Sequence, residues 1–107
     1  EDLERGEVRA ALDAAYNACE LAVKALILLS GEKLAKSHGG LIAQFGRLYV
    51  ETGKAGREVG RGLHKALMLR NRARYDPRAL LTREDALMAI NLAEKLVKLL
   101  KKELEEK

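Results

Sequence analysis

Tryptophan is missing from this chain of 107 residues, and phenylalanine, proline and cysteine occur once each. The lone Cys19 excludes an internal disulfide, and its neighbours Ala18, Leu21 and Ala22 make it a small buried hydrophobe on a helix. His38 and His64 stand at no paired ligand spacing and lack cysteine partners, so neither zinc nor any cofactor is expected. Long apolar runs are lacking too. The strongest, Leu26 to Leu29, falls far short of a bilayer span, and no charged start, apolar middle and small-residue cleavage site is present. A soluble, cytoplasmic protein without membrane contact is expected. The glycine-rich stretch Gly53 to Gly62 lacks the preceding strand and the Gly-Lys-Ser/Thr ending of a phosphate-cradling loop. No serine, histidine and acid set and no paired carboxylates stand out.

Alanine, leucine, lysine, glutamate and arginine are abundant, a composition that favours helices over sheet. Length predicts one domain, residues 1–107, of all-α class. The net charge of +4 is unevenly spread. Acids outnumber bases from Glu1 to Gly31, whereas Arg57, Arg61, Lys65, Arg70, Arg72, Arg74 and Arg78 face only Glu58 and Asp76 in the segment from Arg57 to Arg78. A basic surface of that kind attracts phosphate.

Periodicity predicts a first, central helix from about Gly6 to Leu29, apolar around most of its circumference and ended by Ser30-Gly31. A loop over Glu32 to Gly40 comes next, with Ser37 as N-cap of a short helix carrying Leu41, Ile42, Phe45, Leu48, Tyr49 and Val50. The third helix runs over Arg57 to Tyr75 until Pro77 stops it, and it tolerates Gly60 and Gly62 only where a neighbour packs closely. The last begins near Arg83 behind the capping box Thr82-Arg83-Glu84-Asp85. Its inner stripe is read as Ala86, Ala89, Ile90, Ala93, Leu96, Val97, Leu100 and Leu104, with Leu87, Leu92 and Leu99 outside it. The result is an up-and-down four-helix bundle, or a five-helix one if a helix precedes Glu1. Apolar surplus on the first and last helices points to such a helix or to a dimer.

Arg70 is the anomaly in this pattern. It shares a helical face with Val59, Leu63, Ala66 and Leu67, while Arg61, Lys65, Met68 and Arg72 point the opposite way. A guanidinium aimed at a core or interface requires a carboxylate, a phosphate or carbonyls as partner. Two alternatives stand: a phosphate contact, or a scaffold residue neutralised by Asp13, Glu20 or Asp76.

The alanine-rich helix with Ala15-Tyr16-Asn17-Ala18 and Lys24-Ala25-Leu26, the loop Lys36-Ser37-His38-Gly39-Gly40-Leu41-Ile42 and the run Arg70-Asn71-Arg72-Ala73-Arg74-Tyr75 come in an order that resembles the HEPN family. The branch it resembles is small, prokaryotic and often partnered by a minimal nucleotidyltransferase. The resemblance implies a homodimeric bundle whose arginine runs meet at a cleft that takes RNA or a nucleotide, within a toxin and antitoxin pair. In active members an Arg, a polar residue and a later His form a metal-independent ribonuclease site. Arg70 and Asn71 match the first two positions, and Tyr75 stands where the histidine belongs. A phenol is a poor general base at neutral pH, which shifts Arg70 and Tyr75 from catalysis toward binding, together with Asn71 and Arg74.

Overall fold

The computed structural model describes residues 2–107, with side chains from Glu4 onward. Four α-helices carry the chain: α1, Asp2–Leu29; α2, His38–Phe45, which continues into a π-helical turn, Gly46–Val50; α3, Arg57–Tyr75; and α4, Arg83–Glu105. No strand occurs among the described residues. The all-α bundle agrees with expectation. α1 is its central member, packed along α4 and against α3 and α2.

Several boundaries differ from the sequence reading. α1 starts at Asp2 rather than near Gly6. Acidic residues such as Glu4 and Glu7 suit the positive end of a helix dipole, and one interior glycine costs only about 1 kcal/mol. Ser37 is the N-cap, its side chain accepting from the Gly40 backbone N–H, so α2 begins at His38 inside the expected loop. The expected helix through Val50 changes type at Gly46, where the Glu51 N–H reaches back to the Gly46 carbonyl at 2.8 Å. That widened turn stacks Tyr49 on Phe45, with centroids 5.5 Å apart, and its hydroxyl donates to the Leu26 carbonyl at 2.6 Å.

The core has two centres on α1. One gathers Tyr16, Cys19, Val23, Leu26 and Ile27 with Phe45, Leu63 and Leu96; the other joins Val8, Leu12 and Ala15 to Leu69, Ala86 and Ala89. Leu69 takes the buried place expected for Leu67, which is half-buried. The inner stripe of α4 is also rotated from the expected one. Leu92 is buried, whereas Ile90, Val97 and Leu104 are exposed. Gly62 explains the rotation: its missing side chain lets α4 approach until a Cβ there would stand 3.3 Å from Leu92 Cδ1. The capping box at Thr82 and Asp85 forms as predicted, each side chain accepting from the other's backbone N–H.

Two long-range clasps hold the ends. The Arg9 guanidinium donates to the carbonyls of Arg72, Ala73, Pro77 and Ala79 at 2.9 to 3.3 Å, so α1 fastens the end of α3 and the connection to α4. Lys54 pairs with the buried Glu103 at 3.0 Å, fixing the turn after Val50 to the end of α4.

The apolar surplus stays uncovered within one chain. Leu21, Leu28, Ile90, Val97 and Leu104 are exposed, and a groove of about 570 Å³ between α1 and α4 is lined by Ala11, Ala14, Ala18, Ile90 and Val97 with Glu94 and Lys98 beside them. Among the described residues, no helix is long and apolar enough to cross a membrane.

Candidate functional site

α3 brings its charged C-terminal half against the flank of α1 that lies opposite the alanine groove. Asp13, Tyr16 and Glu20 share that flank by helical spacing. Arg70 lies across it and is only 7% exposed, as its place in the apolar stripe required. Its Cζ lies over the Tyr16 ring, 5.9 Å from the centroid, an arrangement in which the ring face attracts the cation.

The three carboxylates weighed as partners of Arg70 separate clearly. Asp76 Oδ1 accepts from the Arg78 backbone N–H at 3.0 Å, and Glu20 is engaged by His38. Asp13 is the one beside Arg70, with Oδ1 3.7 Å from Nε, which is an ion pair but too long for a hydrogen bond. The Arg70 Nε is buried and has no hydrogen-bond partner. Asp13 is instead claimed by Arg74, through Nε at 2.5 Å and Nη2 at 3.3 Å. Its carboxyl is held below the usual range, chiefly by the Arg74 hydrogen bond, against partial desolvation and with added attraction from Arg74 and Arg70.

Arg70 Nη1 donates to Asn71 Oδ1 at 3.0 Å. That bond fixes the amide and leaves its nitrogen available to a ligand. On the solvent side of α3, Asn71 joins His64, Leu67, Met68 and Tyr75 around an open groove of about 490 Å³. Tyr75 is 72% exposed there. The four residues expected to form the site thus occupy one arc of α3 in two parts. Arg70 and Arg74 turn toward Asp13; Asn71 and Tyr75 turn into the groove. Arg70 is the link between them.

Sequence reasoning missed two contributions. His64 enters the groove because it lies seven residues before Asn71, two helical turns on the same face. On the α1 side, His38 Nδ1 meets Glu20 Oε1, and the same oxygen accepts from the Tyr16 hydroxyl at 3.3 Å. Burial first, and then the Glu20 charge and hydrogen bond, hold the Tyr16 proton far above its ordinary range. No spacing rule joins residues 20 and 38, so this contact had no signal in the sequence. No group of three or more His, Cys, Asp or Glu side chains is placed to hold a metal ion among the described residues.

A family model described as the HEPN domain matches residues 1–104. No curated protein and no solved structure matches the chain significantly.

Proposed function

Since this chain belongs to the HEPN domain family, which includes RNA-binding and RNase-like members, we propose that it binds RNA or a nucleotide through the C-terminal half of α3. Residues 1–107 act as one domain, in the cytoplasm. The observation that carries the reading is the Arg70 to Asn71 bond, by which a buried cation sets an amide at the mouth of a groove beside the exposed Tyr75. Tyr75 offers a face for base stacking, Asn71 a donor to a base or phosphate, and the guanidinium groups of Arg70 and Arg74 the positive field. A homodimer that brings the arginine runs of two copies to one cleft, with Tyr75 left open in it, fits this reading. The uncovered groove between α1 and α4 then remains for a different protein, and a nucleotidyltransferase antitoxin is the partner we assign to it.

Fluorescence anisotropy with a labelled single-stranded RNA tests the reading. Binding is expected to weaken steeply with salt, and Tyr75→Ala to weaken it about tenfold, the usual worth of one stacked base. RNA affinity that is absent, or indifferent to Tyr75, overturns it.

A second reading has its own observation. Arg70 is buried beside Asp13 and stacked on Tyr16, as a scaffold cation would be. Arg70→Ala decides between the two: a variant that melts like the parent but loses RNA supports the site, and one that melts far lower with RNA affinity retained supports the scaffold.

A further inference from the structure

The groove on the solvent side of α3 holds one carboxylate. Besides His64, Leu67, Met68, Asn71 and Tyr75, its lining includes Arg72 and Asp76 at the end of the helix. A phosphate entering it would meet the Asp76 charge, with the Arg72 guanidinium to offset it, so a neutral ring suits this space better than the backbone of a nucleic acid. The groove volume of about 490 Å³ lies within the range of small-molecule clefts, about 300 to 1,000 Å³, and admits a single base.

Two polar groups here are oriented by partners outside the groove. The Arg70 Nη1 bond to Asn71 Oδ1 at 3.0 Å commits the amide oxygen, so Asn71 meets a ligand as a donor through Nδ2. Asp76 Oδ1 accepts from the Arg78 backbone N–H at 3.0 Å, in a turn that Pro77 stiffens, and Oδ2 makes no hydrogen bond among the described residues. A donor and an acceptor thus stand five residues apart, about 7.5 Å along the helix axis, with the exposed Tyr75 ring beside them. That separation is of the size that one base spans with a hydrogen bond of about 2.9 Å at each edge.

Guanine is the base whose edge matches. Its O6 accepts where Asn71 donates, and its N1–H and N2 amine both donate toward a carboxylate, whose oxygens each carry two lone pairs. Adenine and cytosine reverse the pattern, turning an amine toward the amide N–H and a ring lone pair toward the carboxylate. Uracil offers O4 and N3–H, one bond fewer than guanine.

We propose that this groove is a guanine-selective base subsite, in which Asn71 Nδ2 donates to O6, the Asp76 carboxylate accepts from N1–H and the N2 amine, and Tyr75 stacks on the ring. The proposal rests on the reading of α3 as an RNA or nucleotide site. Asp76, which takes no part in neutralising Arg70, becomes its specificity-determining residue.

Anisotropy with the full chain tests the subsite on short labelled strands that are all uridine or carry one guanosine, inosine or adenosine at an inner position. The guanosine strand is expected to bind about tenfold tighter than the adenosine strand, with uridine and with inosine, which lacks the N2 amine, in between. Asp76→Asn keeps an oxygen for the Arg78 N–H and loses the second acceptor, and it is expected to bring the guanosine and adenosine strands within about twofold at an unchanged melting temperature. Guanosine monophosphate as competitor separates the two sources of the base. Displacement at the Kd of the guanosine strand assigns the subsite to a free nucleotide, and displacement only at about a hundredfold higher concentration assigns it to RNA. Equal binding of the guanosine and adenosine strands by the parent, or a preference that survives in Asp76→Asn, overturns the subsite and leaves the binding reading standing. A parent that binds neither the strands nor the monophosphate overturns both.

Discussion

Arg74 grips Asp13 at two points, 2.5 Å from Nε to Oδ1 and 3.3 Å from Nη2 to Oδ2, while the buried Arg70 Nε stands 3.7 Å from the same Oδ1 without a partner. One carboxylate thus serves two arginines and satisfies one. On the proposed RNA-binding reading, a phosphate arriving at Arg70 and Arg74 would compete with this carboxylate.

Asp13→Asn is expected to separate the structural and binding roles of that carboxylate. Because the folded state holds the Asp13 carboxyl below its usual range, its stabilisation is complete above the unfolded value of about 3.9 and is lost as the pH falls through the lower folded value. The variant should melt about 4 °C lower than the parent at pH 7, with the gap closing below about pH 4. RNA affinity at pH 7 should rise roughly fivefold as the competing charge disappears, the equivalent of about 1 kcal/mol. Thermal melts across pH and one anisotropy titration check both, and unchanged affinity would place the ligand elsewhere.

Arg9→Ala removes four donated hydrogen bonds at once and leaves the carbonyls at the end of α3 to water. A loss of about 2 kcal/mol is expected, since bonds from a charged donor are worth more than neutral ones. Hydrogen exchange should accelerate most over residues 76 to 81, and an increase spread evenly over the chain would contradict the clasp.

The two interior glycines of α3 should respond differently to alanine. A Cβ at Gly60 meets Val50 Cγ2 at 3.6 Å, an ordinary contact, so Gly60→Ala should gain about 0.5 to 1 kcal/mol from helix propensity. At Gly62 the 3.3 Å approach of Leu92 Cδ1 forces a shift, so Gly62→Ala should be the less stable variant in urea. The reverse order would mean that α3 and α4 are not in close contact there.

Burial pushes the Cys19 thiol up to about 12, and Sγ faces the Ala89 carbonyl at 3.7 Å. Reaction with a thiol reagent at pH 8 should therefore wait on unfolding of the bundle. Fast labelling of the folded chain would show that α1 and α4 separate readily.

The α-helical class, the helix order and the inward aim of Arg70 were legible in the sequence because each depends on spacing within one helix, whereas the π turn at Gly46–Val50 was not. The Thr82 capping box and the Ser37 cap were legible for the same reason. The turn of α4 was not, since Ile90 and Leu92 are both apolar and only the close approach at Gly62 selects Leu92 for the interior. Partner choice was half legible. Asp13 stood among the candidates for Arg70, but the competing claim of Arg74 depends on how α1 and α3 lie against each other. The carbonyl clamp expected as one fate of a buried arginine exists, and it is made by Arg9, sixty-three residues before the first carbonyl it reaches.

The π turn at Gly46–Val50 sets the rotational phase of the chain beyond it. Phe45 and Tyr49, four residues apart, share a face through this wider turn, and the Tyr49 hydroxyl reaches the Leu26 carbonyl. Removing a single residue from this turn would restore α-helical rotation, swing Tyr49 away from α1, and release the Lys54 to Glu103 clasp from its register. A deletion of one amino acid here would act like a slipped gear tooth, felt at the far end of α4.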